Sequence, residues 1–280
     1  KNRSIKRLNL SAFQISGGWK NILNAIKRAG TVEVLILDRI TNFSDSAFES
    51  LYYLMMDNLS LSPSSSSSSQ SVRKPSTHVI KELSLSETIR VDNSSAEFHW
   101  FCLGLLNTRS LKKLNLSDTL YLGIRMEEII DSIILNESRP FKELILMNVH
   151  IPVNVTYRLI HALNKPLTES VRPYLLKKLD LHGNDFDDRS AIELKNLLAN
   201  DLSVLELFDI SQNFHETTNI IDNNIVDHII DGLIQNKNMK LMYLSISNFT
   251  VTDPNVIVKL LTFLTTNKTI IDFSYFSNIT

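Results

Sequence analysis

One short pattern recurs along this chain and leaves few folds open to it: an apolar residue, two of any kind, a second apolar residue, one of any kind, and a third apolar residue. It stands at Ile5-Leu8-Leu10, Val32-Leu35-Leu37, Ile80-Leu83-Leu85, Leu111-Leu114-Leu116, Phe141-Leu144-Leu146, Leu176-Leu179-Leu181, Leu205-Phe208-Ile210, Leu241-Leu244-Ile246 and Ile270-Phe273-Tyr275. Successive starts lie 27, 48, 31, 30, 35, 29, 36 and 29 residues apart. Self-similarity at this period marks a solenoid, in which each unit is too small to bury its own apolar face and does so against its neighbours. The alternation that closes each match is the period-2 signal of a short strand with one buried face.

Between the matches the spacing turns helical. Trp19, Ile22, Leu23 and Ile26 form one apolar stripe, and Phe98, Phe101, Cys102, Leu105 and Leu106 another. Met126-Ile129-Ile130-Ile133, Val155-Leu159-Ile160-Leu163, Ile229-Ile230-Leu233 and Ile257-Leu260-Leu261-Leu264 follow. Such sets suit helices packed on one side. Punctuation agrees. Asp253-Pro254 supplies a cap and a first-turn proline, Ser94 or Ser95 can cap the helix holding Cys102, and Gly17-Gly18 reads as a turn before the helix at Trp19. Pro140 and Pro173 fall between a helix and the next strand, where they break nothing. An α/β solenoid of about nine repeats is expected over residues 1–280, in preference to an ordinary sheet with crossover helices, because the strands are so short and so evenly spaced.

The segment Leu176-Lys177-Lys178-Leu179-Asp180-Leu181-His182-Gly183-Asn184-Asp185-Phe186 resembles the leucine-rich-repeat signature, as does Phe208-Asp209-Ile210-Ser211-Gln212-Asn213-Phe214. The period is similar to that of the ribonuclease-inhibitor-like subclass, which includes Ran GTPase-activating proteins and actin-capping-protein-regulating scaffolds. The resemblance implies a horseshoe with strands on the concave face and helices on the convex face. The asparagine that bonds the turn backbone in that family stands only at Asn184 and Asn213; Phe13, Ile40, Ile89, Thr119 and Val149 are read as its counterparts elsewhere. Apolar packing is therefore expected to hold those other turns.

If the Leu-x-Leu positions are buried, the alternate strand residues line the inner wall. On that wall Ile145, Met147, Leu207 and Tyr243 are expected to form an apolar band flanked by Lys178, Asp180, His182 and Asp209, the composition of a protein interface. These eight are the candidate partner-binding residues. Their alternative is sideways packing between strands.

Residues 60–76 interrupt the second repeat. Nine serines stand between 60 and 71, six of them in a row, and such a stretch cannot bury apolar surface. It reads as a low-complexity expansion within a single array, with phosphorylation as the alternative.

Chemistry-bearing patterns are sparse. The sequence has no phosphate-binding glycine loop, no His-Glu-x-x-His and no cysteine pair, and its seven histidines are scattered. Cys102 lies on an apolar stripe, and Asp187-Asp188 sits beside a helix start, where carboxylates favour the dipole. A non-enzyme without cofactor or metal is expected. Lys plus Arg is 29 against 30 Asp plus Glu, so nothing points to nucleic acid. No apolar run reaches membrane-spanning length. The lone cysteine favours a reducing, cytoplasmic setting. Eleven Asn-x-Ser/Thr triplets point the other way and are read as a product of Asn/Ser-rich composition.

The expected function is a protein-binding scaffold acting through the concave face. The alternatives are a GTPase regulator of the Ran-activator type, which calls for a well-kept asparagine ladder and an acidic tail, and the substrate-recognition arm of a ubiquitin ligase. The chain opens at Lys1 in a strand and neither end carries a polar capping repeat, so flanking repeats or caps are expected.

Overall fold

The structure is a computed structural model that describes residues 4–15, 18–40, 43, 45–56, 79–88, 98–119, 123–165, 175–213 and 221–275. The serine-rich segment, Gly17, Ile89, Ser94, Ser95, Pro173 and Phe214 lie outside the described residues. Within them nine three-residue strands alternate with eight helices. The strands are β1 (Arg7–Asn9), β2 (Val34–Ile36), β3 (Glu82–Ser84), β4 (Lys113–Asn115), β5 (Glu143–Ile145), β6 (Lys178–Asp180), β7 (Leu207–Asp209), β8 (Tyr243–Ser245) and β9 (Asp272–Ser274). The helices are α1 (Trp19–Ala29), α2 (Asp45–Met55), α3 (Phe98–Asn107), α4 (Gly123–Leu135), α5 (Val153–Asn164), α6 (Asp188–Ala199), α7 (Ile221–Gln235) and α8 (Pro254–Thr266).

All nine strands join one parallel sheet in sequence order, each in direct register with the next. The sheet stays open, lining the inner wall of a horseshoe, with the helices outside it. The repeated Leu-x-Leu positions build the core between the two layers. Leu35, Leu37, Leu114, Leu116, Leu144, Leu146, Leu179, Leu181, Phe208 and Ile210 are all fully buried, each contributing about 1.5–3 kcal/mol. At the two ends Leu8, Leu10, Phe273 and Tyr275 are only partly buried, because each has a neighbour on one side only. A run of rings, Trp19, Phe43, Phe48, Phe98 and Phe101, seals the first three helices with centroids 5.2 to 5.9 Å apart along the series.

The helical stripes fall where the spacing places them, with two differences. Helices α2 and α6 exist although no stripe was read there; their buried sets are Ala47, Phe48, Leu51, Leu54 and Met55, and Ala191, Leu194, Leu197 and Leu198. On α8 the buried row is Val256, Leu260 and Phe263, while Ile257 and Leu261 face solvent. That helix packs on α7 alone among the described helices, so its second apolar row has nothing to cover it. The expected cap forms at Asp253, which accepts from the Asn255 N–H, and Asp187, read from the sequence only as favouring the dipole, also caps its helix by accepting from the Ser190 N–H.

The turn after each strand repeats more strictly than the sequence does. Two residues beyond the last core position, Ala12, Arg39, Glu87, Asp118, Asn148, Gly183, Gln212 and Asn248 all adopt positive φ, between 52° and 67°. The N–H groups of the first seven donate to carbonyls of the following repeat, from Ala12 to Asp38 O through Gln212 to Ser247 O, at 2.8–3.0 Å. A backbone ladder thus holds the turns whatever their side chains.

The next residue along is the family's asparagine position, and here the sequence reading needs a correction. In the third repeat its occupant is Thr88, three residues after Leu85, and not Ile89. The Thr88 hydroxyl donates to Leu37 O and accepts from the Ile40 N–H, so it serves the preceding turn. Thr119 donates to Leu116 O. Asn184 donates to Leu146 O (2.7 Å) and Leu181 O (2.9 Å) and accepts from the Ile151 N–H (3.0 Å). Asn213 in turn accepts from the Asn184 N–H at 2.5 Å. Apolar occupants survive where the next repeat reaches back: Ile40 is served by Thr88 and Val149 by Asn184. Apolar packing alone does not hold these turns.

Candidate partner-binding face

Direct register turns the inner wall into rows that run across the strands. The first-position row reads Arg7, Val34, Glu82, Lys113, Glu143, Lys178, Leu207, Tyr243 and Asp272. The third-position row reads Asn9, Ile36, Ser84, Asn115, Ile145, Asp180, Asp209, Ser245 and Ser274. All eight candidate residues therefore stand on four adjacent strand units, β5 to β8.

Their arrangement differs from a single band. Ile145 and Met147 belong to β5 and its turn, Leu207 and Tyr243 to β7 and β8. Between the two pairs runs β6 with Lys178, Asp180 and His182. Each pair is half-buried against its neighbours. The flanking carboxylates are more enclosed than a rim would be: the side chains of Asp180 and Asp209 are only 14% and 16% exposed. Asp180 and Asp209 are direct register partners. Burial pushes the Asp180 carboxyl above its ordinary range, and the neighbouring Asp209 adds to this, against the pull of Lys178 at 3.8 Å.

The structure also gathers His182, Ser211 and Asp209. The Ser211 hydroxyl donates to the Asp209 carboxylate, and His182 Nδ1 lies 2.8 Å from Ser211 Oγ. With its one proton committed to Asp209, Ser211 can only accept from His182 Nδ1–H. A serine nucleophile needs the reverse, its proton handed to the imidazole. The set ties β6 to β7 on the wall. Cys102 is likewise unsuited to attack, since burial, assisted by Glu128, pushes its thiol up to about 12. Among the described residues no three of His, Cys, Asp and Glu are gathered in a way that could hold a metal ion. No described helix is long and apolar enough to cross a membrane.

The two halves of the wall differ in chemistry. On β2 to β4 the polar groups satisfy one another. Asp38 accepts from the Ser84 hydroxyl (2.6 Å) and the Ser86 N–H (2.9 Å), Asn115 donates to Ser84 (3.0 Å), and Ser117 donates to Asn115 (2.7 Å). On β7 to β9 apolar groups reach solvent, and sequence reasoning missed two of them. The residue just before each strand reads Lys6, Glu33, Lys81, Lys112, Lys142, Lys177, Glu206, then Met242 and Ile271. Ion pairs lace the earlier part, with Lys6 and Lys81 both on Glu33 and Lys177 on Glu206. The switch to Met242 (43% exposed) and Ile271 (81% exposed) leaves an apolar surface where seven repeats carry charge. The signal was in the sequence, one residue outside the positions the alternation singled out.

No family model matches the chain, and no curated protein matches its sequence.

Proposed function

We propose that the chain is a non-catalytic protein-binding scaffold of the leucine-rich-repeat kind, and that it takes its partner on the inner wall over β5 to β9. The observation that carries this reading is the contrast along one continuous sheet. The wall over β2 to β4 has spent its polar groups on itself, whereas β7 to β9 adds the exposed Met242 and Ile271 to the half-buried Leu207 and Tyr243, beside under-neutralised carboxylates. Exposed apolar groups ringed by charge favour association, because burying them releases water while the charges set orientation. Ile145 and Met147 extend the same face across β6.

Affinity purification of the full chain with mass spectrometry, repeated with Met147→Glu and Tyr243→Ala, tests the reading. Loss of the same partner from both variants supports it. Partners retained by both variants, with matching circular dichroism melts, would show that the inner wall is not the binding surface.

A further inference from the structure

A groove of about 410 Å³ opens along the edge of the inner wall where β7, β8 and β9 begin. Its apolar lining is Leu207, Tyr243, Met242 and Ile271. Two of these occupy the row that precedes the strands, which is core in none of the nine repeats: its members are exposed or half-buried throughout. A further repeat stacked on β9 would leave this row at most half-buried, as Glu33, Lys112 and Glu206 are between their neighbours.

Charge around the groove is unbalanced. Its cations Lys177 and Lys178 face Glu206 at 2.5 Å and Asp180 at 3.8 Å, and its acid Glu143 is held by Lys113 at 2.8 Å. Asp272 sits beside Tyr243 in direct register and makes no ion pair among the described residues. Asp209, one strand further in, has His182 as its one ion-pair neighbour among the described residues, at 3.9 Å. The Tyr243 phenol is raised by burial and then by Asp209, Asp272 and Asp180, so three carboxylates act on one ring. A half-exposed aromatic ring in a negative field attracts a cation, and a carboxylate at its edge can bond that cation's N–H groups.

Resting on the scaffold reading, we infer that this groove docks a peptide segment of a partner protein that presents an arginine or lysine beside an apolar residue. The cationic group lies over Tyr243 and bonds Asp272, with Asp209 behind it. The apolar residue sits on Met242 and Ile271. An acidic segment would meet the unpaired Asp272 and be repelled.

The test uses the full chain as bait for a random dodecapeptide library displayed on phage. The recovered peptides are then synthesised and titrated by fluorescence polarisation against the unaltered chain, Asp272→Asn, Ile271→Ser, Tyr243→Ala and, as a control on the self-satisfied half, Glu82→Gln. Asp272 and Ile271 are exposed, so both variants should fold. The expected result is enrichment of Arg or Lys next to Leu, Ile, Met or Phe. Binding should weaken about tenfold in Asp272→Asn and in Ile271→Ser, be unchanged in Glu82→Gln, and weaken as salt rises. Binders that lose affinity with Ile271→Ser or Tyr243→Ala but show no cation preference overturn this inference and leave the scaffold reading standing. Binders indifferent to every inner-wall substitution overturn both, and recovery of no binder overturns the docking inference. A concentration-dependent dimer dissolved by Ile271→Ser overturns it too, by showing that a second copy of the chain fills the groove.

Discussion

Asn184→Val is the sharpest perturbation of this fold, because the preceding repeat already carries Val149 at the same place. Asn184 is 3% exposed, and its side chain makes bonds of 2.7 Å to Leu146 O, 2.9 Å to Leu181 O and 3.0 Å from the Ile151 N–H. Valine fills similar volume and makes none of them. At about 1 kcal/mol net for each bond, with an added penalty for the stranded Ile151 N–H, the loss comes to about 3–5 kcal/mol. Two turns are affected, since Asn184 also serves the one that Val149 leaves unprovided. Urea denaturation should show the midpoint falling by about 1–1.7 M for a slope of about 3 kcal/mol/M. A long array can open locally before it unfolds as a whole, so native-state hydrogen exchange at Ile151 gives the local measure. A loss under about 1 kcal/mol, with Ile151 protection unchanged, would refute the claim that single polar side chains serve neighbouring turns.

Five further outcomes follow from the same structure. Gln212 holds φ +56° without a side-chain reason for it, so Gln212→Gly should raise stability by up to about 1 kcal/mol; Gly183→Ala should lower it by about 2 kcal/mol, since φ is +66° and a Cβ would collide with Asn148 Oδ1. Gly232 lets α7 approach α6 so closely that a Cβ would stand 2.5 Å from Lys195 O, and Gly232→Ala should cost about 2 kcal/mol in a thermal or urea melt. Cys102, pushed from 9.0 up to about 12, should react with iodoacetamide at pH 8 about a thousandfold more slowly in the native than in the urea-unfolded chain. Glu33, held at about 2 instead of 4.5 by hydrogen bonds from Lys6 and Lys81, stabilises the fold above pH 4.5 and loses that contribution as the pH falls towards 2; Glu33→Gln should flatten the acid limb of the stability profile in that window, and nuclear magnetic resonance should find the titration moved back towards 4.5 in 1 M salt.

The architecture was legible because burial imposes it. Leu114, Leu144 and Leu179 have to point the same way for adjoining units to share a core, so the pattern survives in the letters. The turns were not legible, because the backbone holds them. Ala12, Arg39, Glu87 and Gly183 share one left-handed conformation and one hydrogen-bond pattern, yet have no side-chain chemistry in common. Looking for asparagines and finding two suggested turns held by apolar packing, and a one-residue slip to Ile89 hid the hydroxyl of Thr88. The stripe placed on Ile257 and Leu261 erred for a related reason. Spacing reports which residues share a helix face, but whether anything covers that face depends on a neighbouring helix that spacing does not describe.

The candidate site shows the same division between what burial writes into the sequence and what it does not. Ile145, Met147, Leu207 and Tyr243 were identified by alternation, and register does place them on one wall. Alternation says nothing about order across strands, so it could not show that Lys178, Asp180 and His182 stand between the two pairs. Met242 and Ile271 were passed over because they precede the alternating positions. Read down the repeats, their row is charged seven times and then apolar twice, and no demand of the core explains the change, since the row is never buried. A departure from a repeat's own rule at a position that stability leaves free is where selection for binding can act without cost to folding. In a solenoid that comparison needs no relatives, because each repeat serves as a reference for the others.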